Sequence, residues 1–269
     1  MIAFPFCKIN LGLHILSKRA DGFHSIETCF YPIPWTDILE IIPSNEFNFT
    51  TSGISIEGDP STNLCVRAYH LLQPEFNLPS IKIHLHKIIP MGAGLGGGSA
   101  DAAFTLTLLN ELFELKLSVE QLKQYASQLG SDCSFFLEKK PQLGEGKGDE
   151  LSDAAVDLKN KFLVIVKPDI HVSTQEAYAG VKPALQKIAV REVVEKYPLP
   201  QWKDNLINDF EESVFKKFPV IREIKKSLYD NGAMYASMSG SGSSVFGIFE
   251  QPVDLKSSFP GYTYWSGLL

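Results

Sequence analysis

Residues 90–99 read Pro90-Met-Gly-Ala-Gly-Leu-Gly-Gly-Gly-Ser99 and lie between a predicted strand and a predicted helix. Five glycines fall within Gly92–Gly98, and glycine lets a backbone adopt positive φ and approach a ligand closely. The helix expected from about Ser99 presents N–H groups and the positive end of its dipole. Together these features predict an anion site suited to phosphate. The alternative is a tight connection with surplus glycine, although a turn needs only one or two.

Two common nucleotide motifs fit this stretch poorly. The spacing GxGxxG is present from Gly92 to Gly97, but a dinucleotide-binding fold has a second strand after the helix, with an acidic residue about 20 positions on. A second helix is predicted there instead. A Walker A loop ends in Gly-Lys-Ser/Thr, and no lysine follows these glycines. A Rossmann dehydrogenase is therefore the weakest alternative.

The flanking patterns predict a mixture of strands and helices. Apolar and polar residues alternate from Ile81 to Leu85, which indicates a half-buried strand. Further strands are expected at Ile38–Ile42, Ser52–Ile56, Phe162–Val166, Ala233–Met238 and Val245–Phe249. Helices are expected at Asn63–Leu72 (stopped by Pro74), Ser99–Phe113, Ser118–Leu129, Asn205–Lys217 and Pro219–Tyr229. Because strands and helices do not alternate regularly, the predicted class is α+β.

The 269 residues are enough for one large domain or two small ones. Glycines, a proline and many charges crowd the stretch from Lys139 to Lys159. We place the domain boundary near its end, which gives an N-terminal domain of residues 1–155 and a C-terminal domain of residues 156–269.

Composition narrows the possible partners. With 25 Lys+Arg against 31 Asp+Glu, the net charge is −6, which disfavours non-specific nucleic-acid binding. The apolar runs are too short to span a bilayer, and the N-terminus lacks the pattern of a secretory signal. The four cysteines are scattered, as in a protein of a reducing compartment. We therefore expect a cytoplasmic protein with neither a membrane nor a nucleic-acid partner.

Several polar residues allow two interpretations. Lys8 and Asn10 share a strand face, where Lys8 is either solvated or carries charge to a phosphate or a hydroxyl. Asp132 is either a helix N-cap, which the sequence alone favours, or a general base. His84 and His86 share a strand face but lack a third metal ligand, so we expect them to be solvated.

Two glycine-containing turns stand out beside the main loop. Residues 19–22 form an Asp-Gly turn that leads into Phe23 and His24. With Phe30 close behind, these rings are suited to a cradle for a flat ligand ring. Residues 239–243, Ser-Gly-Ser-Gly-Ser, read first as a hairpin loop, and their backbone donors also suit an anion nest.

These segments together resemble the GHMP kinase superfamily, which includes galactokinase, homoserine kinase and mevalonate kinase. The stretch from Pro90 to Ala100 is similar to the superfamily's phosphate loop. The resemblance is strongest to the branch that acts on a cytidine diphosphate-linked methylerythritol, and the matching segments are Lys8–Leu11, Arg19–His24, Pro90–Ser99, Gly130–Phe136 and Met238–Gly242. Three positions depart from that branch: Phe6-Cys7, where Pro-Ala is usual, Ala100, where a second serine is usual, and Ser134, where proline is usual.

The resemblance implies a two-domain α+β GHMP kinase fold, with a ribosomal-protein-S5-like N-terminal domain and a ferredoxin-like C-terminal domain. It implies an active-site cleft between the domains and ATP-dependent phosphorylation of the substrate's 2-hydroxyl, with ATP and Mg²⁺, in the non-mevalonate isoprenoid pathway. A monomer or weak homodimer is expected.

The resemblance also implies roles for individual residues. Asp132 would take the proton from the 2-hydroxyl, and Lys8 would hold that hydroxyl and lower its pKa. The implied substrate-binding residues are Asn10, Phe23, His24, Phe30, Thr174 and Tyr178. The implied nucleotide-binding residues are Asn63 and Lys87 at the adenine, and Pro90, Gly92, Gly94, Leu95, Gly96, Gly97, Gly98 and Ser99 at the phosphates.

Two other functions remain open on the sequence. One is a different GHMP enzyme, such as a mevalonate or homoserine kinase, against which Phe23 and His24 weigh because those substrates have no base to stack. The other is a non-catalytic nucleotide- or RNA-binding protein on the same fold. The net charge of −6 disfavours RNA, and the joint presence of Lys8 and Asp132 disfavours an inactive kinase.

Overall fold

The structure is a computed structural model that describes residues 1–181, 183 and 188–269. The strands in this part of the chain are β1 (Ile2–Ala3), β2 (Phe6–Lys18), β3 (His24–Thr36), β4 (Ile38–Pro43), β5 (Asn48–Gly53), β6 (Ile81–Lys87), β7 (Gln142–Glu145), β8 (Glu150–Asp153), β9 (Phe162–Lys167), β10 (Tyr235–Met238), β11 (Val245–Phe249) and β12 (Thr263–Leu268). The α-helices are α1 (Leu64–Phe76), α2 (Gly97–Leu112), α3 (Val119–Leu129), α4 (Thr174–Ala179), α5 (Val190–Lys196), α6 (Trp202–Asn205), α7 (Phe210–Lys217) and α8 (Pro219–Asp230). Of the helices described, none has both the length and the apolar character needed to cross a membrane.

The chain forms two compact units whose segments alternate along the sequence. The first unit comprises Met1–Cys7, Trp35–Met91 and Gly96–Lys139, and the second comprises Lys8–Pro34, Gly92–Leu95 and Lys140–Leu269. The glycine-rich loop thus contributes residues to both. The domain boundary between residues 155 and 156 remains a prediction, because each unit is a group of contacting segments and not one continuous stretch of sequence.

In the first unit, a sheet of order β1-β4-β6-β5 carries three helices. β6 pairs antiparallel with β4 and parallel with β5. Every second residue of β6, from Ile81 to Leu85, is buried, because side chains alternate between the two faces of a strand. These residues form a core with apolar side chains of the helices, including Leu72 of α1 and Leu106 of α2.

The second unit contains an antiparallel sheet of order β10-β11-β9-β12. It also contains most of a sheet of order β2-β3-β7-β8, in which β7 pairs antiparallel with β3 and with β8. Helices α4, α7 and α8 supply buried residues to one core with β9 and β11, for example Phe210, Ile224 and Val164. The loop between β10 and β11 holds residues 239–244, so the hairpin predicted there is confirmed. Mixed strands and helices in both units confirm the α+β class.

Three predicted elements differ from the structure by three or more residues at one end or both. The strand expected at Ser52–Ile56 ends at Gly53, where a positive φ of 79° turns the chain. Helix α1 continues past Pro74 to Phe76, although a proline inside a helix removes one intrahelical hydrogen bond. The helix expected from Asn205 begins at Phe210, since Asn208 instead donates hydrogen bonds to the carbonyl oxygens of Met238 (2.7 Å) and Gly240 (2.8 Å).

Candidate active site

The glycine-rich loop has the backbone geometry that the sequence predicts. Gly92, Gly94 and Gly96 have positive φ of 58°, 76° and 72°, a region in which other residues are strained. Helix α2 begins at Gly97, two residues earlier than expected, and its first intrahelical bond runs from the N–H of Ala100 to Gly96 O (2.9 Å). Gly96, at the N-cap, has no side chain that could accept hydrogen bonds from the N–H groups of residues 97–99. The start of α2 therefore offers donors and a positive dipole end to an anion.

The middle of this loop is fixed by side chains of the second unit. The carbonyl oxygen of Gly94 accepts hydrogen bonds from the Lys8 ammonium (3.1 Å) and from the Ser239 hydroxyl (2.8 Å). The N–H of Lys8 donates to the carbonyl oxygen of Leu95 (2.9 Å). A Cβ at Gly94 would overlap the Ser239 carbonyl oxygen, so glycine is required there.

Lys8 belongs to a buried polar network and is not a solvated strand residue. Its side chain is 3 % exposed, and its ammonium donates to Asn10 Oδ1 (2.6 Å). The Asn10 amide donates to Thr28 Oγ1 (3.0 Å), which donates to the carbonyl oxygen of Gly12 (2.5 Å). The predicted shared face of Lys8 and Asn10 is confirmed. Because a buried ammonium is stable only with partners, this network fixes its position.

Asp132 lies at the start of the 3-10 helix Cys133–Leu137 but does not cap that helix with its side chain. The N-cap interpretation is therefore wrong for the carboxylate. The Ser131 hydroxyl lies 3.3 Å from Asp132 Oδ1 and donates to it. The same turn adjoins the start of α2, since a Cβ at Gly130 would lie 4.0 Å from Ser99 Oγ.

The aromatic residues predicted to bind a base fall into two groups. Phe23 follows the β2–β3 turn with 60 % of its surface exposed, and the next residue, His24, stacks on Tyr178 with ring centroids 4.7 Å apart and planes 17° apart. These two rings touch, so a base can stack on an outer face of the pair but not between them. Phe30 is 2 % exposed, and its ring centroid is 5.3 Å from the Lys8 Nζ. The structure thus places the Phe30 ring against the Lys8 ammonium in the interior.

Thr174 and Tyr178 both lie on α4, one turn apart. The Ser173 hydroxyl caps this helix by accepting from the N–H of Glu176 (3.2 Å). Thr174 is exposed at the first helical position, and Tyr178 packs edge-on against Phe210 (4.8 Å) as well as on His24. The helix therefore holds the Tyr178 ring in a fixed orientation.

The two residues expected at the adenine have different surroundings. Asn63 caps α1 by accepting from the N–H of Cys65 (2.9 Å), and it lines a surface pocket with Phe49, Ile56 and Pro60 among others. The Lys87 ammonium is not among the described groups that line this pocket. Lys87 is 1 % exposed, so its side chain lies in the interior of the first unit.

Lys87 instead forms a buried triad with two aspartates that the sequence analysis did not single out. Its ammonium donates to Asp37 Oδ2 (2.5 Å) and to Asp101 Oδ2 (2.7 Å). Asp37 Oδ1 also accepts from the N–H groups of Ile88 (2.5 Å) and Ile89 (2.8 Å). Burial raises the pKa of Asp101 to about 7, a rise that the Lys87 ammonium opposes and Asp37 increases.

This triad lies directly beneath the start of the loop helix. A Cβ at Gly97 would be 3.0 Å from Lys87 Nζ, and Asp101 is in the first turns of α2. Lys87 therefore supports the loop helix from inside the unit.

A metal site built from protein side chains is not found in the described part of the chain. His84 and His86, considered above as a pair of ligands, instead contact hydroxyls of the neighbouring strand. His84 lies 2.8 Å from Thr50 Oγ1 and 2.9 Å from Ser52 Oγ, and His86 lies 2.9 Å from the same serine oxygen.

Comparison with known proteins identifies the family. Residues 63–139 match the GHMP kinases N terminal domain, and residues 198–257 match the GHMP kinases C terminal domain. The 4-diphosphocytidyl-2-C-methyl-D-erythritol kinase of Cytophaga hutchinsonii is 54% identical over 250 residues, which cover 93% of this chain and 92% of that protein. The enzyme of the same name from Parabacteroides distasonis is 48% identical over 100% of both chains.

A solved structure gives the same answer at the level of the fold. The crystal structure of a 4-(cytidine 5'-diphospho)-2C-methyl-D-erythritol kinase is similar to this chain with a TM-score of 0.83 and 29% identity, and the match covers 99% of this chain and 98% of that one. The two-domain GHMP kinase fold that the motifs imply is thus confirmed. The chain belongs to the GHMP kinase family and, within it, to the 4-diphosphocytidyl-2-C-methyl-D-erythritol kinases.

Proposed function

We propose that this protein transfers the terminal phosphoryl group of ATP to the 2-hydroxyl of 4-diphosphocytidyl-2-C-methyl-D-erythritol. The products are ADP and the 2-phosphate, and the step belongs to non-mevalonate isoprenoid biosynthesis. The proposal rests on the names of the relatives and, in the structure, above all on one observation. The buried Lys8 ammonium is bonded both to the phosphate-loop carbonyl of Gly94 and to Asn10.

That observation places a positive charge at the glycine-rich loop. Phosphoryl transfer depends mainly on positioning and on neutralisation of charge. The donors at the start of α2 and the positive φ of Gly92, Gly94 and Gly96 suit the ATP phosphates. The backbone donors of residues 90–99 would hold these phosphates.

Mg²⁺ bound with the nucleotide would supply positive charge that offsets the charge of the ATP phosphates. An ion bound through the nucleotide phosphates needs few protein ligands, and a hydroxyl oxygen is a ligand that suits Mg²⁺. Ser99 lies in the first turn of α2, and its hydroxyl would hold such an ion.

In the reaction, the Asp132 carboxylate would take the proton of the 2-hydroxyl as the oxygen bonds to the γ-phosphorus. The bond between that phosphorus and the β–γ bridging oxygen breaks, and ADP leaves with the electron pair. Lys8 would lower the pKa of the hydroxyl, because a nearby cation favours the anionic form. Asn10 would orient the substrate and the ammonium together.

The cytidine end would bind the exposed aromatic residues after the β2–β3 turn. Phe23 would stack on the cytosine, His24 would hydrogen-bond to it, and Thr174 and Tyr178 of α4 would complete this site. Phe30, which lies against the Lys8 ammonium, would form part of the wall of the substrate site. Asn63 would contact the adenine from the pocket at the start of α1. Lys87 would contribute to nucleotide binding indirectly, by supporting the start of α2.

The experiment compares ADP release from ATP and Mg²⁺ with three alcohols: the cytidine-linked substrate, mevalonate and homoserine. We expect release with the cytidine-linked substrate only. Release with mevalonate or homoserine instead would keep the kinase class but overturn the assignment of Phe23 and His24. A lack of release with all three would overturn the proposed function. We further propose that the protein is cytoplasmic and that it is monomeric or weakly dimeric. Light scattering of the purified protein tests the oligomeric state.

A further inference from the structure

The segment between β9 and α4 brings an imidazole against the first glycine of the phosphate loop. A Cβ at Gly92 would lie 2.8 Å from His171 Cε1 and 2.9 Å from His171 Nδ1. The His171 ring therefore fills the space that a side chain at residue 92 would need. Both residues belong to the second unit, and the His171 side chain is exposed to solvent.

The backbone around His171 is fixed by two buried serines of the β10–β11 loop. The Ser243 hydroxyl donates to the carbonyl oxygen of Ile170 (2.6 Å), and the N–H of Ser244 donates to the carbonyl oxygen of Ala93 (3.2 Å). Both serines are 0 % exposed. The same loop thus holds the residues preceding His171 and the residue following Gly92, which fixes the imidazole relative to the glycine-rich loop.

The residues after His171 are also well anchored. Val172 is 2 % exposed, and Ser173 caps α4. An exposed imidazole on an anchored backbone requires little ordering when it binds a ligand.

An acidic residue on the neighbouring helix is already paired with a lysine. Glu176, one turn further along, has an electrostatic contact with His171. Its carboxylate is, however, bonded to the ammonium of Lys217, and that bond lowers the pKa of Glu176. An imidazole carries at least one N–H, so His171 can donate a hydrogen bond to a ligand.

We propose that His171 is a phosphate-binding residue whose imidazole donates a hydrogen bond to a phosphoryl oxygen of a ligand at the glycine-rich loop. This inference rests on the proposed function, because that function supplies the phosphates. Two sources share the chemistry: the terminal phosphate of ATP and the diphosphate of the cytidine-linked substrate. Gly92 is then required twice, for its positive φ and for the space that the ring occupies.

The test measures dissociation constants by calorimetry for the wild type, His171→Ala and His171→Asn. The control is His70→Ala, which removes an exposed imidazole on α1 whose ring packs against Phe47 and Tyr69. The ligands are β,γ-imido-ATP and ADP with Mg²⁺, the cytidine-linked substrate, and cytidine alone. A hydrogen bond to a charged group predicts roughly a tenfold weakening.

We expect His171→Ala to weaken either β,γ-imido-ATP but not ADP, or the cytidine-linked substrate but not cytidine. Either pattern supports phosphate binding, and the ligand whose affinity falls shows which phosphate His171 binds. His171→Asn, which retains an N–H donor, should recover part of the affinity, and His70→Ala should match the wild type.

Unchanged affinity for all ligands would overturn the inference, as would equal weakening of all four, because equal weakening indicates a structural role. The wild type separates this failure from failure of the proposed function. If the wild type turns over the cytidine-linked substrate while His171→Ala binds every ligand as tightly, only the inference is wrong. If the wild type neither binds nor turns over these ligands, both are wrong.

Discussion

The Lys8 ammonium donates a hydrogen bond to the carbonyl oxygen of Gly94 across 3.1 Å. This bond ties a charged residue of β2 to the middle of the glycine-rich loop. Because Lys8 is almost wholly buried, the charge stays in place before any ligand binds. Preorganised charge of this kind lowers the barrier without reorganisation during the reaction.

Replacement of Lys8 by methionine should abolish most of the turnover. Lys8→Met keeps the length of the side chain but removes the charge, so we expect kcat to fall on the order of 100- to 1000-fold. Steady-state kinetics with the cytidine-linked substrate measures this loss. The matched control is Lys18→Met at the exposed end of the same strand, which should stay within about twofold of the wild type. Similar kcat values for the two variants would contradict the role of Lys8.

Asp132→Asn should separate binding from chemistry. The amide retains the shape of the carboxylate but cannot accept the proton of the hydroxyl, so we expect kcat to fall by roughly 100-fold or more. The dissociation constant of β,γ-imido-ATP, measured by calorimetry, should stay within about twofold of the wild type. Turnover close to the wild-type rate would remove Asp132 as the base.

The stacked pair of His24 and Tyr178 makes a prediction about substrate selectivity. Tyr178→Ala removes the ring that supports His24, and an aromatic pair contributes about 0.5–1.5 kcal/mol beyond its buried area. We expect KM for the cytidine-linked substrate to rise roughly 2- to 10-fold while KM for ATP is unchanged. Tyr178→Phe, which keeps the ring, should behave like the wild type. An equal rise in both KM values would indicate general damage to the fold.

Loss of the Lys87 charge should destabilise the first unit. Lys87→Met leaves Asp37 and Asp101 buried without their cation, and breaking a buried ion pair in this way reduces the free energy of unfolding by about 3–5 kcal/mol. Urea denaturation measures the change. Lys82→Met, on the same strand but exposed, is the control and should change stability by less than about 0.5 kcal/mol. Equal stability of the two variants would show that the triad does not support the fold.

The raised pKa of Asp101 predicts a pH dependence of stability. Between the unfolded-state pKa, about 4, and the folded-state pKa, about 7, the folded state binds the extra proton. This contribution to stability is therefore present at low pH and is lost as the pH rises through that window. Asp101→Asn cannot titrate, so the wild type should lose stability relative to this variant from about pH 4 to pH 7. Denaturation curves across that range measure the difference, and a constant difference would contradict the assignment.

The parts of the site that could be predicted from sequence are those with a local pattern. The number of glycines between Gly92 and Gly98 predicts the phosphate loop. The alternation of side chains along β2 predicts that Lys8 and Asn10 lie on the same face of the strand. The capping box at Ser118 fixes the start of α3, because the two hydrogen bonds involve residues only three positions apart.

No local sequence pattern indicates the interactions between distant segments. Asp37 and Lys87 are 50 positions apart. The alternation along β6 places Lys87 on the buried face of the strand, but no local pattern shows which carboxylates it meets there. The irregular stretch before α7 is held by bonds from Asn208 to residues 30 and 32 positions later. His171 follows no motif, and only the folded chain shows its contact with Gly92. Local propensity cannot report contacts that tertiary packing creates.

The most direct measurement is the phosphorus NMR spectrum of the product that the purified protein makes from ATP, Mg²⁺ and 4-diphosphocytidyl-2-C-methyl-D-erythritol. Carbon 2 of the methylerythritol carries a methyl group and no hydrogen, so a phosphate on its hydroxyl has no three-bond coupling to a proton. We expect a new phosphomonoester signal that is a singlet, together with the signals of ADP. A doublet or triplet would place the phosphate on another carbon, and the absence of any new phosphomonoester signal would contradict the proposed kinase activity.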